Sequence, residues 1–74
     1  MTMHEQAIIH CKPEYLEEVK QLGLYYTINS QLDEVDVKVP DIDYDPNHYY
    51  VDPDEQLCDH YGIDYDQVNM IEAV

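Results

Sequence analysis

The sequence predicts a small α+β domain spanning residues 1–74, ordered β-α-β-β-loop-α-α, with an antiparallel sheet and a C-terminal helix pair. Three observations carry that reading. Apolar residues recur at helical spacing between Pro13 and Gly23. They alternate with polar residues through 24–29 and 34–39. Two aspartates at capping positions, Asp52 and Asp64, stand on either side of a turn glycine, Gly62.

Residues 5–11 read as a first strand, with β-branched Ile8 and Ile9. Pro13 suits the first turn of the helix that follows, where its missing N–H removes no bond. Tyr15, Leu16, Val19 and Leu22 form the inner stripe of that helix, Glu14, Glu17, Glu18 and Lys20 face out, and Gly23 ends it. Leu24, Tyr26 and Ile28 then alternate with Tyr25, Thr27 and Asn29. Val35, Val37 and Val39 alternate with Glu34, Asp36 and Lys38, which are expected to face solvent. Asn29-Ser30-Gln31 supplies the turn chemistry that joins these two strands into a hairpin. Residues 40–53 show no period and are expected to form a loop packed by its tyrosines, with a short extended piece at Tyr49–Val51. Asp52, Pro53 and Glu55 then announce a helix over 53–61, with Leu57, Cys58 and Tyr61 on one face. Asp64 and Gln67 announce a last helix, with Val68, Ile71 and Tyr65 inward.

Charge separates this chain from an ordinary small domain. Seventeen acids face three lysines and no arginine, a formal charge of −14. Residues 1–40 hold seven acids and all three lysines; residues 41–74 hold ten acids and neither Lys nor Arg. Solubility is met at a charge of magnitude roughly 2–8, and a larger excess destabilises a compact chain through self-repulsion. Phosphates would be repelled, so neither nucleic acid nor an anionic membrane is expected as a direct partner. Eight tyrosines are the only aromatic residues. No basic region followed by an apolar run opens the sequence, and no stretch has the length of a membrane span, so a cytoplasmic location is expected. There Cys11 and Cys58 stay reduced and buried.

Several motifs are echoed without being met. Residues 57–71 have the spacing of a DNA-reading helix pair, but Asp64, Tyr65, Asp66, Asn69 and Met70 stand where a groove would be read. Asp41, Asp43, Asp45 and Asp52 fall at calcium-loop positions, yet Pro46 occupies the place of the turn glycine. His4, His10, Cys11, His48, Cys58 and His60 lack zinc-knuckle spacing and read as buried cysteines and surface histidines, so no metal is expected. No nucleophile signature or glycine-rich phosphate loop occurs, so neither a cofactor nor catalysis is expected. Ile-Asp-Tyr-Asp appears at 42–45 and again at 63–66, either by composition alone or as two acidic-aromatic edges offered to a partner.

Fourteen charges correspond to roughly 24 Å of duplex DNA, close to the diameter of a domain this size. In size, acidity, scarcity of basic residues and acid-tyrosine edges the chain resembles the DNA-mimic inhibitors of phages and mobile elements: anti-CRISPR, anti-restriction and uracil-DNA glycosylase inhibitor proteins. That resemblance is one of class, with no shared motif. It implies an inhibitor acting in a bacterial cytoplasm on the basic groove of a Cas effector, a restriction enzyme or a DNA-repair enzyme. The residues expected to make contact are Asp41, Asp43, Asp45, Asp52, Asp54, Glu55, Asp59, Asp64 and Asp66, with Tyr44, Tyr49 and Tyr65 beside them. An antitoxin-like module for a basic protein surface is the second expectation, a divalent-cation-binding protein the third, and a homodimer is compatible with any of them.

Overall fold

The computed structural model describes residues 6–42 and 52–73. Within them the chain forms a four-stranded antiparallel sheet with two helices. The elements are β1 (Gln6–Cys11), a 3-10 turn (Pro13–Tyr15) running into α1 (Leu16–Leu22), β2 (Tyr26–Asn29), β3 (Glu34–Pro40), α2 (Pro53–Tyr61), a second 3-10 turn (Tyr65–Gln67) and β4 (Val68–Ala73). The sheet order is β2-β3-β1-β4.

Strand pairing follows from the alternation of valines and isoleucines. Ala7, Ile9 and Cys11 lie opposite Val39, Val37 and Val35, and all six are buried. Tyr15 and Val19 of the first helical segment, Leu57 and Cys58 of α2, and Ile63 complete this core. Both cysteines are free thiols. Burial raises the Cys11 thiol to about 11 and that of Cys58 to about 12, the charges of nearby carboxylates adding to it. Tyr15 remains satisfied although buried, because its hydroxyl accepts the Asp64 amide at 2.9 Å. The hairpin turn is closed by Asn29, whose Oδ1 accepts the amides of Gln31 and Leu32 at 3.1 Å each. Asp33 completes it in the left-handed region at φ 54°.

The helix expected after Asp64 is instead a strand. Val68 and Ile71 are three residues apart, a helical interval, yet both face the core side of the sheet. A β-bulge reconciles the two facts. Val68 pairs with Cys11 and Met70 with His10, so Asn69 is an extra residue and the facing pattern is reset by one. Asp64 still caps, but it caps a single 3-10 turn, accepting the Asp66 amide at 3.0 Å. What reads as a helix-turn-helix skeleton is therefore a helix, the Gly62 corner and an edge strand. The long-range gain is clear: without β4, one side of β1 would present unpaired backbone at the core's edge. Tyr49–Val51 lies outside the described residues. No described helix is long and apolar enough to cross a membrane.

Candidate functional site

Two groups of carboxylates stand out, one at the α2 corner and one on the sheet face turned away from the helices. At the corner, the residues follow from local capping. Asp52 accepts the Asp54 amide at 2.9 Å and starts α2, with Pro53 next. Gly62, at φ 75°, ends α2 in the left-handed conformation that glycine adopts freely. The reversal at Gly62 folds the Asp64–Asp66 turn back against the helix. A groove results, lined by Glu55, Cys58, Asp59, Ile63, Asp64, Tyr65 and Asp66. Tyr65 bridges back to the helix start, its hydroxyl donating to Asp52 Oδ2 at 3.3 Å.

The acidic surface continues in two directions. Asp64 also lines a depression with Glu14 and Glu18, so the first helical segment extends the charged surface. On the other side, Asp54 and Asp41 share a hollow with Ile42, Leu57 and Ile71. The electrostatic imprint is visible in the tyrosines. The Tyr65 hydroxyl is raised above its ordinary pKa by desolvation and then by the charges of Asp52, Asp54 and Glu55. Tyr61, which donates to the Pro40 carbonyl, is raised by desolvation and by Asp41. Asp54 is itself raised, by desolvation and by the neighbouring Asp52 charge. Of the contact residues expected from sequence, Glu55, Asp59, Asp64, Tyr65 and Asp66 meet in one groove, Asp52 and Asp54 adjoin it, and Asp41 lies beyond Asp54. Asp43, Tyr44, Asp45 and Tyr49 lie outside the described residues, and with them most of the calcium-loop pattern. Glu14 and Glu18 were not expected: nothing in the sequence signals that the first helix turns its acids toward residues 64–66.

The second group overturns the reading of His10 as a surface residue and of Glu34 as solvated. His10 and Glu34 are each only 8% exposed. His10 projects from β1 on the open face, between β3 and β4. Its Nδ1 meets Glu34 Oε2 and, at 2.9 Å, Asp36 Oδ1; its Nε2 meets Glu72 Oε1 at 3.0 Å. Asn29 of β2 donates to the other Asp36 oxygen at 3.4 Å. Burial alone would lower the His10 pKa, but the hydrogen bonds to Glu34 and Glu72 and the charges of Asp36 and Glu34 outweigh it and raise it. Glu34 is raised by its hydrogen bond with Asp36 and by burial. For Asp36, burial pulls upward, yet the bonds from Glu34, Asn29 and His10 bring it below the ordinary aspartate value. Cys11 points to the opposite, core side and takes no part in this cluster. His60 is exposed and packs edge-on to Tyr61, with ring centroids 4.7 Å apart; His4 and His48 lie outside the described residues.

Comparison with family models, curated proteins and solved structures finds no match to this chain. The reading of function therefore rests on charge and geometry.

Proposed function

We propose that this protein is an acidic inhibitor that occupies the basic nucleic-acid-binding groove of a target protein in place of DNA, binding rather than catalysing. One observation carries the reading: Glu55, Asp59, Asp64 and Asp66 converge on a single groove beside Tyr65, instead of being spread around the fold. Lysine and arginine present ammonium and guanidinium donors that such carboxylates accept in charge-assisted bonds, and Tyr65 adds an aromatic face for a cation. Dimensions agree with the idea. The described residues extend over 35 × 25 × 20 Å, while the chain's 14 net negative charges match roughly 24 Å of duplex. The most specific form of the proposal is inhibition of a CRISPR effector complex.

The test is affinity capture from bacterial lysate with the tagged full chain at low salt, followed by mass spectrometry. A nucleic-acid-binding protein should be recovered, and duplex DNA should release it. Association should be fast and weaken steeply as salt rises. If no nucleic-acid-binding protein is recovered, the proposal is wrong. A basic protein that DNA fails to displace would instead mark an antitoxin-like interaction module.

A further inference from the structure

We propose that His10, Glu34 and Asp36 form a binding site for a divalent transition-metal ion of the zinc type, with Glu72 as the residue that orients the imidazole. The donor atoms are already gathered: one ligand atom from each of the three lies within 4.8 Å of the others. The backbone holds them there. His10 is directly opposite Asp36 in the β1–β3 register, and Glu34 precedes Asp36 by two residues, hence on the same face of β3.

Two features point to a cation rather than to a purely structural cluster. The first is the distribution of donors and acceptors. Glu72 Oε1 lies 3.0 Å from Nε2 and accepts from it, so the ring can give up its Nδ1 proton and still keep one N–H bond. Nδ1–H points at Glu34 and Asp36, and once a cation displaces that proton three donor atoms converge on it. A proton on Nδ1 serves one oxygen at a time; a metal ion takes all three. Glu72 beside Nε2 completes the carboxylate–histidine–metal arrangement by which such ligands are oriented. The second feature is charge. Three carboxylates surround one imidazole, two of these four side chains are almost wholly buried, and no lysine pairs with the cluster among the described residues. Even a charged imidazole leaves the cluster two negative charges in excess when all three carboxylates are ionised, and Glu34 is the carboxylate that is almost wholly buried.

The donor set also selects the ion. One imidazole nitrogen with two carboxylates suits zinc, with manganese next, whereas calcium and magnesium favour all-oxygen shells. Three protein ligands leave a fourth position for water or a further ligand. The ligands come from β1 and β3 and their orienting carboxylate from β4, so the bound ion would tie three strands together. Zinc-knuckle spacing gives no hint of this, because the ligands lie 24 and 26 residues apart and no cysteine is among them.

Chelator-treated full chain titrated with zinc chloride in a calorimeter tests the site, with thermal unfolding measured in parallel. One zinc ion per chain is expected, with the midpoint of unfolding raised by about 5 °C or more at saturation. Asp36→Asn should weaken binding by about a hundredfold and Glu72→Gln by about tenfold. Exposed Glu17→Gln should leave it unchanged. Nitrogen chemical shifts of the wild-type His10 ring must move at Nδ1 on adding zinc, a readout that needs no variant to fold. No uptake, or uptake that leaves the His10 ring unmoved and survives Asp36→Asn, would overturn the proposal and place any bound ion on the exposed acidic corner. This outcome is independent of partner capture, since the two sites use different faces.

Discussion

The corner of α2 and the open face of the sheet are built from the same residue types and put them to opposite uses. At the corner, aspartates satisfy helix and turn amides with one oxygen and keep the rest of the side chain in water. On the sheet, Glu34 and Asp36 converge on His10 and lose most of their solvent. The first arrangement accumulates negative charge that no described lysine offsets; the second concentrates it around one imidazole. Exposure makes the difference. Charges that remain hydrated cost little to keep and reach a partner over about a Debye length, roughly 8–10 Å. Charges that are buried must be compensated where they stand.

The largest effect should come from breaking the buried set. His10→Ala leaves three carboxylates without their common partner and is expected to lower unfolding free energy by about 3 kcal/mol in urea titration. A loss below about 0.5 kcal/mol, the range of ordinary surface changes, would mean the open face is solvated like the corner. Next comes partner binding. Glu55→Gln, Asp59→Asn and Asp66→Asn together should weaken capture of the target by about thirtyfold, or about 2 kcal/mol, whereas Asp36→Asn should leave it unaltered. Equal losses from both would erase the distinction between the two regions.

Smaller effects sharpen the picture at the corner itself. The folded-state pKa of Asp54 is raised, by desolvation and by Asp52. For a raised carboxyl, the stabilising contribution is present below the unfolded value and is lost as pH rises through the folded value. Thermal midpoints should therefore fall as pH increases from about 4 toward neutrality, and Asp54→Asn should flatten part of that slope. A midpoint that rises over this interval in wild type, with the variant unchanged, would contradict the assignment. The smallest effect is spectroscopic. Tyr65 should ionise later than an ordinary tyrosine in ultraviolet titration, and Asp52→Asn should bring it earlier, by removing both a charge and a hydrogen-bond acceptor. Thiol chemistry gives a control on the core. With Cys11 raised to about 11 and Cys58 to about 12, neither should be alkylated at neutral pH until the protein unfolds.

Much of the fold was legible from residue spacing. The valine alternation of β3, the Pro13-to-Gly23 helix and the capping at Asp52 all depend on contacts within a few residues. The last element was not, because the spacing of Val68 and Ile71 fits a helix and a bulged strand equally well. Only the unpaired edge of β1, more than fifty residues away in sequence, selects the strand. At the corner, Asp52, Glu55, Asp59, Asp64 and Asp66 were legible since consecutive caps and turns bring them together. Glu14 and Glu18 joined them through the Tyr15–Asp64 hydrogen bond, which no local pattern announces. His10 was noted as a candidate ligand but set aside for lack of zinc-knuckle spacing; its partners Glu34 and Asp36 read as ordinary outward positions of an alternating strand, and Glu72 follows a stretch that reads as a helix.

By itself, then, the sequence determined the α+β class, the helix ends, the hairpin and the acidity of the second half, all of which arise from short-range sterics, capping and composition. Tertiary structure alone decided the fourth strand and the burial of His10 among three carboxylates. Strand pairing joins residues that are distant along the chain, and burial is a property of what packs on a side chain rather than of the side chain itself.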